Sequence, residues 1–152
     1  MNWIAIGWSG FVATAIATAF FWAFRSLGWT IFSPTIQVGG IFLRDPDSPT
    51  TETVGFVLLF LLGSTVFPAL YLLIMESWIG AGWLGGAILG VVHGLLAAAA
   101  LPAIGTISAS VRNGPLPHPG QFGLKWGRST PLAIVVGHGI YGVVAGAILA
   151  GF

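Results

Sequence analysis

Two stretches decide how this chain folds: Gly82-Trp-Leu-Gly-Gly-Ala-Ile-Leu-Gly-Val-Val-His93-Gly94 and Val136-Gly-His138-Gly-Ile-Tyr-Gly142-Val-Val-Ala-Gly146. In the first, Gly82, Gly86, Gly90, Gly94 and Ala98 recur every four residues. In the second, His138, Gly142, Gly146 and Ala150 do the same. Residues four apart share one helix face, so each stretch carries a strip bare of side chains where another backbone can lie close. In a bilayer, where lipid tails are as apolar as leucine, small-residue strips are a main route to helix pairing. Gly82, Gly86, Gly90, Gly94, Gly142 and Gly146 are therefore expected to seam two membrane helices together.

Composition sets the class. Apolar residues make up 56% of the 152 and charged residues only 6%, with a mean hydropathy of +0.95. Soluble domains carry about 25% charged residues, so there is too little charge here to clothe a water-facing surface. The expectation is a single integral membrane domain over 1–152 with the lipid bilayer as its first partner. A net charge of +1 gives no electrostatic footprint for nucleic acid. The absence of cysteine removes disulfides, thiolate chemistry and cysteine-ligated clusters.

Four apolar runs are each long enough to cross the roughly 30 Å hydrocarbon layer at about 1.5 Å per residue. They fall at about 3–24, 54–75, 79–101 and 131–150, and predict an all-α, four-helix transmembrane bundle. Nothing basic precedes the first run and Arg25 follows it, so it reads as a retained span and not as a signal peptide. Residues 29–43 are apolar but broken by Pro34 and Gly39-Gly40, which predicts an interfacial or re-entrant segment in the first long connection. Thr51 and Thr53 are candidate caps for the second span. Pro68 should kink that span, its freed carbonyl being satisfied by Ser64 or by a neighbouring helix. A tight turn at Glu76-Ser77 then makes the second and third spans an antiparallel hairpin, with Pro102 stopping the third. Ser129-Thr130-Pro131 is a cap followed by proline at the first helical position, a strong start for the fourth.

Arg25, Arg44, Arg112, Lys125 and Arg128 all fall in the two long connections. The positive-inside rule then expects both connections in the cytoplasm and both termini outside. The tryptophans suit this orientation: Trp3, Trp8, Trp78 and Trp83 fall near the outer interface, and Trp22, Trp29 and Trp126 near the inner one.

His93 and His138 are the candidate site. Each lies eight residues from the inner end of its expected span, so the two should sit level, roughly 12 Å into the membrane. Paired at that depth they could hold haem b through two axial bonds, hold a metal, or ligate chlorophyll, with Tyr141 one turn away as a supporting hydroxyl. Equally, each imidazole could hydrogen-bond across a helix interface, as polar groups in membrane spans commonly do. Facing glycine strips argue against a porphyrin between these helices, because close axes leave it no room. His118, in a proline-rich loop, reads as solvent-facing. No metal residue is assigned, Asp45 and Asp47 reading as a solvated turn, and no catalytic motif of the His-Glu-x-x-His, Gly-x-Ser-x-Gly, phosphate-loop or dinucleotide type is present, so a non-enzymatic role is expected. Transport has limited support, since Glu76 is the only acid outside the long connections.

In layout, the stretch from Gly90-Val-Val-His93-Gly-Leu-Leu to His138-Gly-Ile-Tyr-Gly142, together with Gly10-Phe-Val-Ala-Thr-Ala in the first span, resembles a family of small uncharacterised prokaryotic membrane proteins of four predicted spans. The resemblance implies a prokaryotic cytoplasmic (inner) membrane and no particular activity. Three functions remain open at this point. The leading one is a structural or accessory subunit, packing against other membrane subunits or against itself through glycine surface beyond what one bundle needs. The others are a tetrapyrrole-binding subunit and a small transporter.

Overall fold

The first span, α1 (Trp3–Ser26), starts where the Asn2 side chain accepts from the backbone N–H groups of Ile4 and Ala5, each at 3.2 Å. It ends with Arg25 in its last turn, where a cation complements the helix dipole. The computed structural model describes residues 2–80 and 82–152. Its elements are helical throughout, and four are long and apolar enough to span a membrane: Trp3–Ser26, Pro49–Ile79, Trp83–Ile107 and Thr130–Leu149. The expected four-helix membrane bundle is the fold.

The interrupted apolar segment after α1 forms a short helix, α2 (Pro34–Gly39), with proline in its first turn. It packs against the start of the second span. A Cβ on Gly39 would strike the carbonyl of Thr51, and one on Gly55 that of Thr35. Bare backbone is what lets this piece fold back against the bundle.

The second span begins five residues earlier than expected. Ser48 is the cap, its hydroxyl accepting from Thr50 N–H at 3.2 Å, and Pro49 opens α3 (Pro49–Ser64); Thr51 and Thr53 lie inside the helix. The break comes at Thr65, whose backbone leaves helical geometry (φ −125°, ψ −65°), and α4 (Val66–Ile74) follows. Pro68 explains this position: its ring opposes the carbonyl of the residue four back, Ser64, and it has no N–H to offer. A neighbouring helix meets the carbonyl one residue earlier, since the Tyr141 hydroxyl donates to that of Gly63 at 2.7 Å. The Ser64 hydroxyl, the other candidate, is buried without a partner among the described residues.

The turn expected at Glu76-Ser77 lies further on. Met75–Ile79 continues α4 as a wide π-helical turn, and the reversal falls at Gly80 (φ 87°) and Gly82 (φ 139°). Both need the positive-φ backbone that only glycine adopts at no steric cost. The third span, α5 (Trp83–Ile107), runs through Pro102 instead of stopping there. In a membrane helix the one lost hydrogen bond costs less than fraying into lipid, where unpaired backbone groups find no water. The second long connection holds a one-turn helix, α6 (Ala109–Arg112), and a 3₁₀ segment, Gln121–Trp126. The fourth span is α7 (Thr130–Leu149), opened by Pro131 as expected.

Packing does not follow chain order. The closest pair is α5 with α7; α1 then lies against α7 and α3. Within the apolar windows of α1 and α7, 44% of residues are buried, against 22% in the second and third spans. The former pair is central and the latter flanks it. The expected hairpin of the second and third spans exists in direction only, because α3 and α4 make little backbone approach to α5.

Candidate functional site

The α5–α7 seam is built as its glycines dictate. A Cβ on Gly86 would strike the carbonyl of Gly142, and the reverse also holds. Gly90 lies on the backbone at His138 and Gly139, Gly146 on that at Gly82 and Gly86, and a Cβ on Gly94 would sit 2.7 Å from Val135 Cα. Gly86, Gly90, Gly94, Gly142 and Gly146 thus lie where any side chain would clash, whereas a Cβ on Gly82 would meet nothing within 4 Å.

The same register brings the two histidines together. The imidazole centroids of His93 and His138 are 4.6 Å apart with planes at 67°. They sit level although α5 extends beyond Pro102, since it also projects past the start of α7. Two axial imidazoles lie on opposite faces of a haem, and the rings as they stand, in contact, leave no layer for a macrocycle between them. Among the described residues, no group of three or more His, Cys, Asp or Glu is placed to hold a metal ion.

Each histidine has a defined partner. Nδ1 of His138 donates to the Ile134 carbonyl at 2.8 Å; because a carbonyl only accepts, the proton must be on Nδ1, which leaves Nε2 as an acceptor in the neutral ring. Nδ1 of His93 lies 3.2 Å from the Tyr71 hydroxyl, while the Phe67 ring packs on its imidazole at 4.6 Å. Tyr141, expected to support His138, instead gives its hydroxyl to Gly63. Phe67 and Tyr71 were not legible as site residues. The available signal was that Tyr71 and Tyr141 are the only tyrosines in the chain, both inside spans. His118 is also not simply solvent-facing: it is half-buried beside Gly105, and its Nδ1 accepts from Gly120 N–H at 3.1 Å, holding the loop.

Where α3 and α5 fail to meet, a cavity of about 270 Å³ remains. All four spans wall it, and α2 borders it on the side of the long connections. Leu59 and Leu62 stand on one flank, Ala97 and Leu101 on the other, and Phe21 and Ile134 behind; its polar lining residues are Thr14, Thr18, Gln37, His93, His138 and Tyr141. It is not sealed, and α3 and α5, which both wall it, make little backbone approach to one another. Two residues on its wall, Thr14 and Gln37, each hold a buried side-chain oxygen with no hydrogen-bond partner among the described residues. Buried polar atoms usually find one.

No family model, curated protein or solved structure matches this chain. Fold and composition alone therefore define its class: a multi-pass integral membrane protein of four apolar helices.

Proposed function

We propose that this protein binds a small lipophilic molecule bearing a hydrogen-bond donor, such as a phenol or an alcohol, within the membrane. One observation carries this reading. The cavity is apolar and not sealed, and His138, on its wall, has a tautomer set by Ile134 that leaves Nε2 able to accept. Binding pockets have this character: mostly apolar walls, with a few placed polar groups that orient the ligand. Carriage of such a ligand across the bilayer is the transport form of the same reading. Assembly with other membrane subunits, or self-association, is the structural alternative.

The test compares thymol with its methyl ether, by titration of the purified protein in detergent. Thymol should bind wild-type protein about tenfold more tightly than the ether, and His138→Leu should remove the difference, as expected for one buried hydrogen bond. Ala97→Trp, which fills the cavity, should abolish both. Equal binding of the two probes, or none, would overturn the reading.

We further place the chain among the small prokaryotic four-span proteins it resembles in layout. Its membrane would be the cytoplasmic one, with the long connections inside and both termini outside, on the strength of the five basic residues. The chain has no cysteine, so single cysteines can report sidedness. In intact cells a membrane-impermeant maleimide should label Ser77→Cys and spare Asn113→Cys; the opposite pattern would invert the topology.

A further inference from the structure

A second cavity, of about 470 Å³, lies at the level where α1 ends and α2 and α3 begin. Unlike the first, it is lined by polar and apolar groups alike. Arg25, from the last turn of α1, stands in its wall with the carboxylates of Asp47 and Glu52. Trp22 and Phe56 flank these groups, 72% and 47% exposed on the surfaces of α1 and α3. Charged groups at the end of a span, beside large apolar side chains turned outward, mark the zone where lipid headgroups meet hydrocarbon.

We infer that this cavity holds the headgroup of a zwitterionic phospholipid with a primary ammonium, a phosphatidylethanolamine, from the leaflet facing the long connections. Its chains would run down the outer surface beside Trp22 and Phe56. The charges select this class. Arg25 offers the planar fork of donors that suits a phosphate. The two carboxylates suit an ammonium that can donate hydrogen bonds, and they disfavour a headgroup with net negative charge. A quaternary choline has no N–H to give them and is recognised chiefly through aromatic faces. Both cavities share Thr18, Phe21 and Pro34 as walls, so a bound headgroup would press on the partition between them. The inference does not depend on what the inner cavity binds.

Native mass spectrometry of the full chain, released from detergent with dioleoyl phosphatidylethanolamine, phosphatidylcholine or phosphatidylglycerol, tests it. The wild type should retain one phosphatidylethanolamine at about tenfold lower lipid concentration than either competitor, the size expected for one charge-assisted hydrogen bond. Arg25→Gln should weaken retention of all three. The double variant Asp47→Asn with Glu52→Gln should reverse the preference toward phosphatidylglycerol, a gain that misfolding cannot imitate. Equal retention of all three by the wild type, a choline preference, or a preference unchanged in the double variant would each overturn the assignment.

Discussion

Helices α5 and α7 are separated by a long connection yet meet backbone to backbone, whereas α4 and α5 follow one another through a turn of a few residues and meet mainly through side chains. The seam between α5 and α7 has glycine facing glycine at Gly86 and Gly142. The contact between α4 and α5 is carried by Phe67 and Tyr71 reaching His93. Side-chain size, not chain proximity, chose the partners. Without a hydrophobic force between helices in lipid, pairing goes to surfaces that approach most closely. The pair that could not approach keeps the space in which the candidate site lies.

Breaking the closed half should have the largest effect. Gly142→Leu drives a side chain into the Gly86 carbonyl, and we expect a loss of at least about 3 kcal/mol, the upper end for overpacking, read as failure to recover folded monomer or as a large fall in denaturation midpoint. Next, Tyr141→Phe leaves the Gly63 carbonyl without its cross-helix donor at the break in the second span. Unfolding in detergent should show a cost of about 1–2 kcal/mol.

The open half should respond in the opposite sense. Thr14→Val replaces an unpartnered buried hydroxyl on the cavity wall with a methyl group, and should raise stability by up to about 1 kcal/mol. A loss of stability instead would mean that this hydroxyl has a partner. The smallest effect belongs to Gly139→Ala. Its new Cβ meets only Val91 Cγ2, at 3.7 Å, so stability should change by less than about 0.5 kcal/mol. A large loss there would spread the seam over more of α7 than its backbone contacts indicate.

How far the site could be read from residues alone differs along the chain. The glycine spacing of 82–98 and 138–150 identified both strips, because a four-residue repeat on a straight helix fixes a face, and counting eight residues from the inner end of each expected span put His93 level with His138. Helix ends were less legible. Pro102 reads as a stop in water but is passed in lipid, and the turn moved from Glu76-Ser77 to the glycines that follow. Tyr71 reaches His93 only because the break at Thr65 redirects α4, and no local spacing reports the direction of a kinked helix.

Composition and periodicity by themselves determined the membrane class, the number of spans and the seam, since each follows from local rules of burial and helix geometry. Tertiary structure alone decided that the second and third spans stand apart, that Tyr141 serves Gly63 and not His138, and that two cavities lie one above the other along α1. Those outcomes depend on which surfaces win the competition for close contact, and that competition involves every helix at once.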